Sequence, residues 1–129
     1  MYKKINQAVN DFRKIAREVP ALVKSYEEEI SLCEKAFLDI RHCVELKKGA
    51  LTRRQKTLIT RLTKEYSLRR RKASDNLRVL QPLDTFLTIQ GHVLNRLDTT
   101  SGEMRKQISI IEGPRHYNPR VLNELFKEE

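Results

Sequence analysis

Residues 52–81 read TRRQKTLITRLTKEYSLRRRKASDNLRVLQ, and this stretch carries most of the chain's excess positive charge. It holds ten basic and two acidic residues, whereas the segments on either side of it nearly balance. Its apolar residues fall within roughly one 100° arc of a helical projection, the width of a core-facing stripe. They are Leu58, Ile59, Leu62, Tyr66, Ala73, Leu77 and Leu80. The pattern predicts one amphipathic helix over 52–81 with a strongly cationic outer face.

The cationic face of this helix is the candidate binding site. Arg69 alone among the cations falls inside the apolar arc, so we expect its stem to pack and its guanidinium to reach outward. Unmixed positive charge costs helix stability, because like charges four residues apart repel, and it indicates a nucleic acid or another polyanion as partner. The candidate nucleic-acid-binding residues are Arg53, Arg54, Arg61, Lys64, Arg70, Arg71, Lys72 and Arg78. The hydroxyls interleaved with them suit phosphate oxygens; they belong to Thr57, Thr60, Ser67 and Ser74.

Two other interpretations of the cations stay open. A charged helix face can serve only to keep a protein in solution. Alternatively, acidic residues of the preceding helix could pair with the basic helix and mask part of its charge. Those acids are Glu27, Glu28, Glu29 and Glu34.

Apolar residues three and four apart predict helices before the basic one. The first covers 2–19 and ends at Pro20, because the residue before a proline is pushed out of the helical region. The second covers 21–48, and its apolar spacing resembles a coiled-coil heptad. Gly49 then suits the connection to the next helix.

The basic helix has a predicted start and a predicted end. Thr52 and Gln55 match a capping box, and Pro82 is expected to close the helix. Beyond it, alternating spacings of four and three predict one long helix over 83–112. The residues at these spacings are Leu83, Leu87, Gln90, Leu94, Leu97, Ser101, Met104, Ile108 and Ile111. The turn-like residues 98–102 offer a competing break, but the apolar phase continues across them.

The last residues form a separate segment in this interpretation. Asn118 and Pro119 suit the cap and the first position of a short helix over 119–127. The helix could fold back on the rest of the protein, which is the preferred outcome, or dock on a partner. The candidate docking residues are Tyr117, Leu122, Leu125 and Phe126.

The predicted fold class is therefore all-α. We expect a bundle of three long antiparallel helices over 21–48, 52–81 and 83–112, with coiled-coil-like seams and short N- and C-terminal helices. Residues 1–113 would form the bundle and residues 114–129 an extended segment with a short helix. Narrow seams on long helices leave apolar surface uncovered, so we also expect a homodimer.

The sequence offers no candidate for catalysis, and we expect a protein that is not an enzyme. It contains no phosphate-binding glycine loop, no paired nucleophile and base, and no metal-ligand spacing, so neither a metal nor a cofactor is predicted. Cys33 and Cys43 lie about 15 Å apart on one helix, too far for a disulfide. No apolar stretch has the length of a membrane span or of a secretory signal. We expect a cytoplasmic protein without membrane contact.

Three stretches of the second half resemble small helical accessory proteins of phages and prophages of Gram-positive bacteria. They are 69–77 (RRRKASDNL), 80–83 (LQPL) and 117–126 (YNPRVLNELF). The resemblance implies a role in regulation, packaging or interference with host defence, in the host cytosol, and carries over no catalytic residue. A helix-turn-helix over 51–77 is disfavoured, since no Gly or Asn supplies its turn.

The leading functional hypothesis is a non-enzymatic protein that binds nucleic acid phosphates through the basic helix 52–81. Such binding would be largely independent of base sequence. One alternative is an adaptor or inhibitor that docks on a host protein complex, of the anti-defence type. Another is a structural coiled-coil assembly factor.

Overall fold

Three α-helices make up most of the protein: α1 (Tyr2–Leu46), α2 (Arg53–Ile89) and α3 (Gly91–Glu112). A short 3-10 helix, Asn123–Phe126, follows them. The computed structural model describes residues 1–115 and 117–127, which leaves out His116, Glu128 and Glu129. No strand occurs within these two ranges, and the predicted all-α class is confirmed.

Pro20 lies inside α1, so the predicted break between helices 2–19 and 21–48 is wrong. A proline inside a helix costs roughly 3 kcal/mol, because it removes a hydrogen bond and crowds the preceding turn. Here the neighbouring Val19 and Val23 are buried, and burying a valine is worth about 1.5–3 kcal/mol. Packing of the two valines thus offsets the cost of a continuous helix.

Pro82 is likewise inside α2, which continues to Ile89 instead of ending at Gln81. The break in the predicted helix 83–112 comes at Gln90, whose φ of −94° and ψ of 23° depart from helical geometry. Residues 98–102 are helical, so the competing break at that cluster is wrong as well. The Gln90 amide donates to the Phe86 carbonyl at 2.9 Å, and the Leu94 amide donates to the Gln90 carbonyl at 3.1 Å. Backbone hydrogen bonds therefore link α2 directly to α3.

The helices form a long two-layer hairpin in which α1 packs along α2 and, near its beginning, against α3. Side-chain contacts pair Lys3 with Glu112, Arg13 with Asp98 and Glu29 with Arg69. The order of these pairs means that α1 runs opposite to α2 and α3. Because α2 and α3 have almost no packing contact with each other, this hairpin takes the place of the expected bundle of three neighbouring helices.

The hairpin has a thin core. Its main cluster joins Val19 and Val23 of α1 to Leu87 of α2, and Cys33 and Ala73 are buried further along. The protein exposes 11126 Å², whereas a compact monomer of this mass exposes about 7100 Å². The shape is therefore extended, and many large apolar side chains remain in contact with solvent.

The connection between α1 and α2 follows the predicted local chemistry. Gly49 has a φ of 87°, a left-handed conformation that glycine adopts without steric cost. The Gln55 amide donates to the Thr52 hydroxyl at 3.2 Å, and the Thr52 amide donates to the Gln55 side chain at 3.0 Å. The predicted capping box is confirmed, and the Lys47 ammonium adds a further hydrogen bond to Gln55.

The tail differs from its prediction. No α-helix forms over the described part of 119–127; a single 3-10 turn begins at Asn123, so Asn118 and Pro119 do not start a helix. Tyr117 and Phe126 contact each other with ring centroids 5.5 Å apart. All the large apolar residues of the tail are exposed, so the preferred expectation that the tail folds back on the helices is wrong.

Candidate nucleic-acid interface

Most cationic side chains of α2 lie on its solvent-exposed face, whereas Arg69 and Arg70 reach α1. Residues seven apart stay in one row along a helix, with a drift of about 20° per seven residues. Thr57, Lys64, Arg71 and Arg78 form such a row by their spacing. All eight predicted binding residues are exposed. A ligand could therefore reach every one of them from the solvent side of α2.

Six of the eight predicted residues line two shallow grooves. The first groove lies at the beginning of α2, and the second lies near its middle, where Phe37 of α1 forms one wall. Lining residues of the first groove are Arg53, Arg54, Thr57, Leu58 and Arg61. Those that α2 contributes to the second are Ser67, Arg70, Arg71, Ser74, Asp75 and Arg78. The structure thus groups the cations into two clusters of three arginines, with Lys64 between them in the sequence.

Two arginines of the basic stretch are paired with α1. The Arg69 guanidinium donates to Glu29 at 2.7 Å and lies 4.9 Å from the centre of the Tyr66 ring. This hydrogen bond holds the pKa of the Glu29 carboxyl below its ordinary value. Arg70 donates to Glu34 at 3.3 Å. These two glutamates of α1 therefore neutralise part of the cationic charge, as one of the open interpretations expected.

The other cations keep their charge exposed. Within residues 1–115 and 117–127, no carboxylate forms an ion pair with the seven remaining candidates. They are Arg53, Arg54, Arg61, Lys64, Arg71, Lys72 and Arg78. Arginine presents a rigid fork of donors that matches two oxygens of a phosphate group. The face accordingly presents several such donor groups to solvent at once.

The hydroxyls of this face are not equivalent. The Thr57 hydroxyl donates to the Arg53 carbonyl at 3.0 Å, and the Thr60 hydroxyl donates to the Lys56 carbonyl at 2.9 Å. In this conformation the hydroxyl protons of both threonines are engaged by backbone carbonyls, so neither is free to donate to a phosphate oxygen. Ser67 and Ser74 line the second groove beside its arginines, so they remain candidate donors.

The candidate docking residues of the tail lie apart from the basic face. Tyr117, Leu122, Leu125 and Phe126 are 54–73% exposed, and they line neither groove of α2. Two separate surfaces thus correspond to the two predicted sets of site residues.

Sequence analysis missed a polar cluster between α1 and α3. Arg13 donates to Asp98 at 2.5 Å and to Ser101 at 3.0 Å, and the Ser101 hydroxyl donates to Asn10 at 2.9 Å. The hydrogen bond from Arg13 holds the pKa of Asp98 below its ordinary value. Asp98 and Ser101 follow Leu94 at spacings of four and three, where the helical pattern would place apolar residues. Polar residues at these positions were the sequence signal that could have predicted the cluster.

The described part of the chain contains two cysteines that form no disulfide. Cys33 is buried and Cys43 exposed, and both are free thiols, as the sequence predicted. Within residues 1–115 and 117–127, no three His, Cys, Asp or Glu side chains are placed to hold a metal ion together. The helices of these ranges include none with both the length and the apolar character needed to cross a bilayer.

Comparison with protein-family models, curated proteins and solved structures finds no match for this chain.

Proposed function

We propose that the protein binds the phosphate backbone of a nucleic acid through the outer face of α2 and catalyses no reaction. The observation that carries this proposal is the set of seven exposed cations on one helix face, which form no ion pair with any described carboxylate. Holding like charges together costs stability. An anionic partner would neutralise these charges and relieve their mutual repulsion, which favours binding.

The dimensions of the face suit a nucleic acid backbone. Arg53 and Arg78 are 25 residues apart on α2, which corresponds to about 38 Å of helix. One turn of duplex DNA spans roughly 34–36 Å. A helix laid along the backbone could therefore contact phosphates at both ends of one turn, with Lys64 reaching those between.

Binding through this face would depend little on base sequence. Contacts to phosphate fix the position of a protein on a duplex but carry no base information by themselves. Each phosphate that a cation neutralises releases condensed counterions, so the affinity falls steeply with salt. We expect similar affinities for duplexes of unrelated sequence.

Salt titration of binding tests this proposal. Fluorescence anisotropy with labelled duplex DNA and duplex RNA should give a log K against log salt slope near −4 to −5 if about five phosphates are contacted. A slope near zero, or no binding at low salt, would contradict phosphate binding.

A second candidate function is an adaptor or inhibitor that binds a host protein complex, as the resemblance to phage accessory proteins implies. The specific observation that favours it is the exposed apolar set of the tail, with Tyr117 against Phe126. Such a protein would act in the cytosol, of a bacterial host if the chain is phage-derived. Capture of a partner from nuclease-treated lysate separates the two functions, because only a protein partner survives the nuclease.

A further inference from the structure

α3 and the end of α2 carry two neighbouring apolar seams, of which α1 covers only one. The inner seam faces α1: Leu87 and Leu94 pack in the core, and Asp98 and Ser101 bond to Arg13. The outer seam is shifted by one position along the sequence, so it lies beside the inner seam on the helix surface. Its residues recur at the same spacings as those of the inner seam. It consists of Phe86, Val93, Leu97, Met104, Ile108 and Ile111. Phe86, Val93 and Ile111 are 45–51% exposed, and Leu97, Met104 and Ile108 are half-buried.

α1 contributes a second outer seam on the same side of the hairpin. Phe12 lines a groove together with Phe86, Val93 and Leu97, and Tyr2 lines another with Met104, Ile108 and Ile111. Thr100 belongs to both grooves, so the two adjoin. Ile5 is seven residues before Phe12, in the same row of the helix, and is 52% exposed. We call these seams of α1 and α3 together the outer apolar face.

In a helical hairpin that packs against no other helix, each helix needs only one apolar seam, which faces its neighbour. A second seam beside the first is the pattern of a helix that packs against further helices in a bundle. Contiguous apolar surface of this kind marks an interaction site on a soluble protein.

We propose that the outer apolar face is the interface through which two copies of this chain pair into a four-helix bundle. From Phe86 to Ile111 the face extends about 38 Å. The face is two helices, about 20 Å, wide over the roughly 15 Å from Tyr2 to Phe12 and one helix wide elsewhere, so the footprint is on the order of 500 Å² per copy. The smallest interfaces of stable, specific complexes bury about 600 Å² per partner. The protein exposes more surface than a compact monomer of its mass, and dimerisation would bury part of that excess.

The distribution of charge favours a second copy as the occupant. α3 contains three basic and three acidic residues, so two such faces can approach without net repulsion. The unpaired cations of α2 lie between Arg53 and Arg78, outside the outer apolar face. Pairing through this face therefore keeps them in solvent.

The described residues of the tail do not line the grooves of this face. The tail's 3-10 helix has four residues, which extend about 8 Å, and its apolar side chains are exposed. A second copy brings two helices of matching length. This proposal does not depend on nucleic acid binding, and its test is made without nucleic acid.

Light scattering after gel filtration tests the proposal. The full-length chain should elute with twice its mass of 15.2 kDa. Ile5→Lys with Val93→Lys places two charges in the face and should shift the protein to the monomer. The matched control is Leu32→Lys with Ile110→Lys, which changes two equally exposed apolar residues off the face and should leave the dimer intact. A second readout needs no variant: the melting temperature of the wild type should rise with its concentration.

Several outcomes would overturn the proposal. A monomeric wild type whose melting temperature is independent of concentration is one. A face variant that stays dimeric is another, and so is a control variant that dissociates equally. A monomeric wild type that dimerises once residues 114–129 are deleted would assign the face to the tail instead of a second copy.

Discussion

Arg13 shows how single side chains fix the relative position of the helices. Its guanidinium contacts Asp98 and the buried Ser101, which in turn bonds to Asn10. A shift of α1 by one helical turn would break all of these bonds and separate Asn10 from the buried Ser101 hydroxyl, and the loss of a hydrogen bond by a buried polar group costs stability. We infer that this cluster sets the register of α1 against α3, whereas the apolar seam alone would tolerate a shift.

The carboxylates that join the helices should make the protein sensitive to acid. Hydrogen bonds from Arg69, Arg13 and Lys3 lower the pKa values of Glu29, Asp98 and Glu112 respectively. Because each folded-state pKa lies below its unfolded value, the stabilisation is present at neutral pH and disappears as the pH falls through the folded-state values. The melting temperature should therefore be nearly constant from pH 7 to about pH 5 and fall as the pH drops below about 4.

The variant Asp98→Asn tests the contribution of one of these groups. It should melt below the wild type at pH 7 and show a shallower fall in acid, because one of the three groups no longer titrates. Asp39→Asn is the control, since Asp39 is exposed and is not among these paired carboxylates. Equal acid profiles for Asp98→Asn and the wild type would refute this account of the cluster.

Some features of the helices are determined by residues close together in the sequence, and others by contacts between distant residues. Thr52 and Gln55 cap α2 through hydrogen bonds within four residues, so their sequence was sufficient to predict the start of the helix. Pro20 and Pro82 were misleading, because the burial of Val19, Val23 and Leu87 that carries the helices through them involves residues far apart in the chain. The turn at Gln90 also has no local sequence signal beyond the following Gly91.

Replacing a helix-interior proline should stabilise the protein. Pro82→Ala restores a backbone donor and removes the clash with the preceding turn, for a gain of about 1–3 kcal/mol after the loss of chain rigidity in the unfolded state. Chemical denaturation measures it. Pro119→Ala lies outside the helices and should change the stability little. A less stable Pro82→Ala protein would mean that the hairpin requires the irregularity that this proline introduces.

The tail should contribute little to the stability of the helices. Leu122, Leu125 and Phe126 are more than half exposed, so deleting residues 114–129 removes little buried apolar area among the residues that the structure describes. We expect an unchanged melting temperature. In the adaptor hypothesis the same truncation should also lose the protein captured from nuclease-treated lysate. A melting temperature lower by several degrees would instead show that the tail packs on the helices.

Across the whole molecule, charge and apolar surface are separated along the hairpin. The unpaired cations of α2 lie on the half that contains the α1–α2 connection, and the outer apolar face lies on the half formed by the start of α1 and α3. The charge row was predictable from the sequence, because helical periodicity alone places Lys64, Arg71 and Arg78 on one face. Pairing of Glu34 with the basic helix was one open interpretation, but the sequence could not identify Arg70 as its partner, since that depends on how α1 lies against α2.

The central claim is that the arrangement of charge on α2, and not the net charge of the protein, determines nucleic acid binding. It is tested by comparing two variants that lose the same number of cations. The face variant replaces five basic residues by glutamine: Arg53, Arg61, Lys64, Arg71 and Arg78. The control variant replaces five exposed lysines elsewhere: Lys4, Lys14, Lys24, Lys35 and Lys106.

Fluorescence anisotropy on one labelled duplex over a range of salt concentrations gives the affinity and the salt slope of each variant. Loss of about five phosphate contacts should lower the affinity of the face variant at least a hundredfold at low salt and bring its slope close to zero. The control should keep the wild-type slope, with an affinity within a few-fold of the wild type. Equal losses of affinity and slope in the two variants would contradict the claim that α2 forms the binding face.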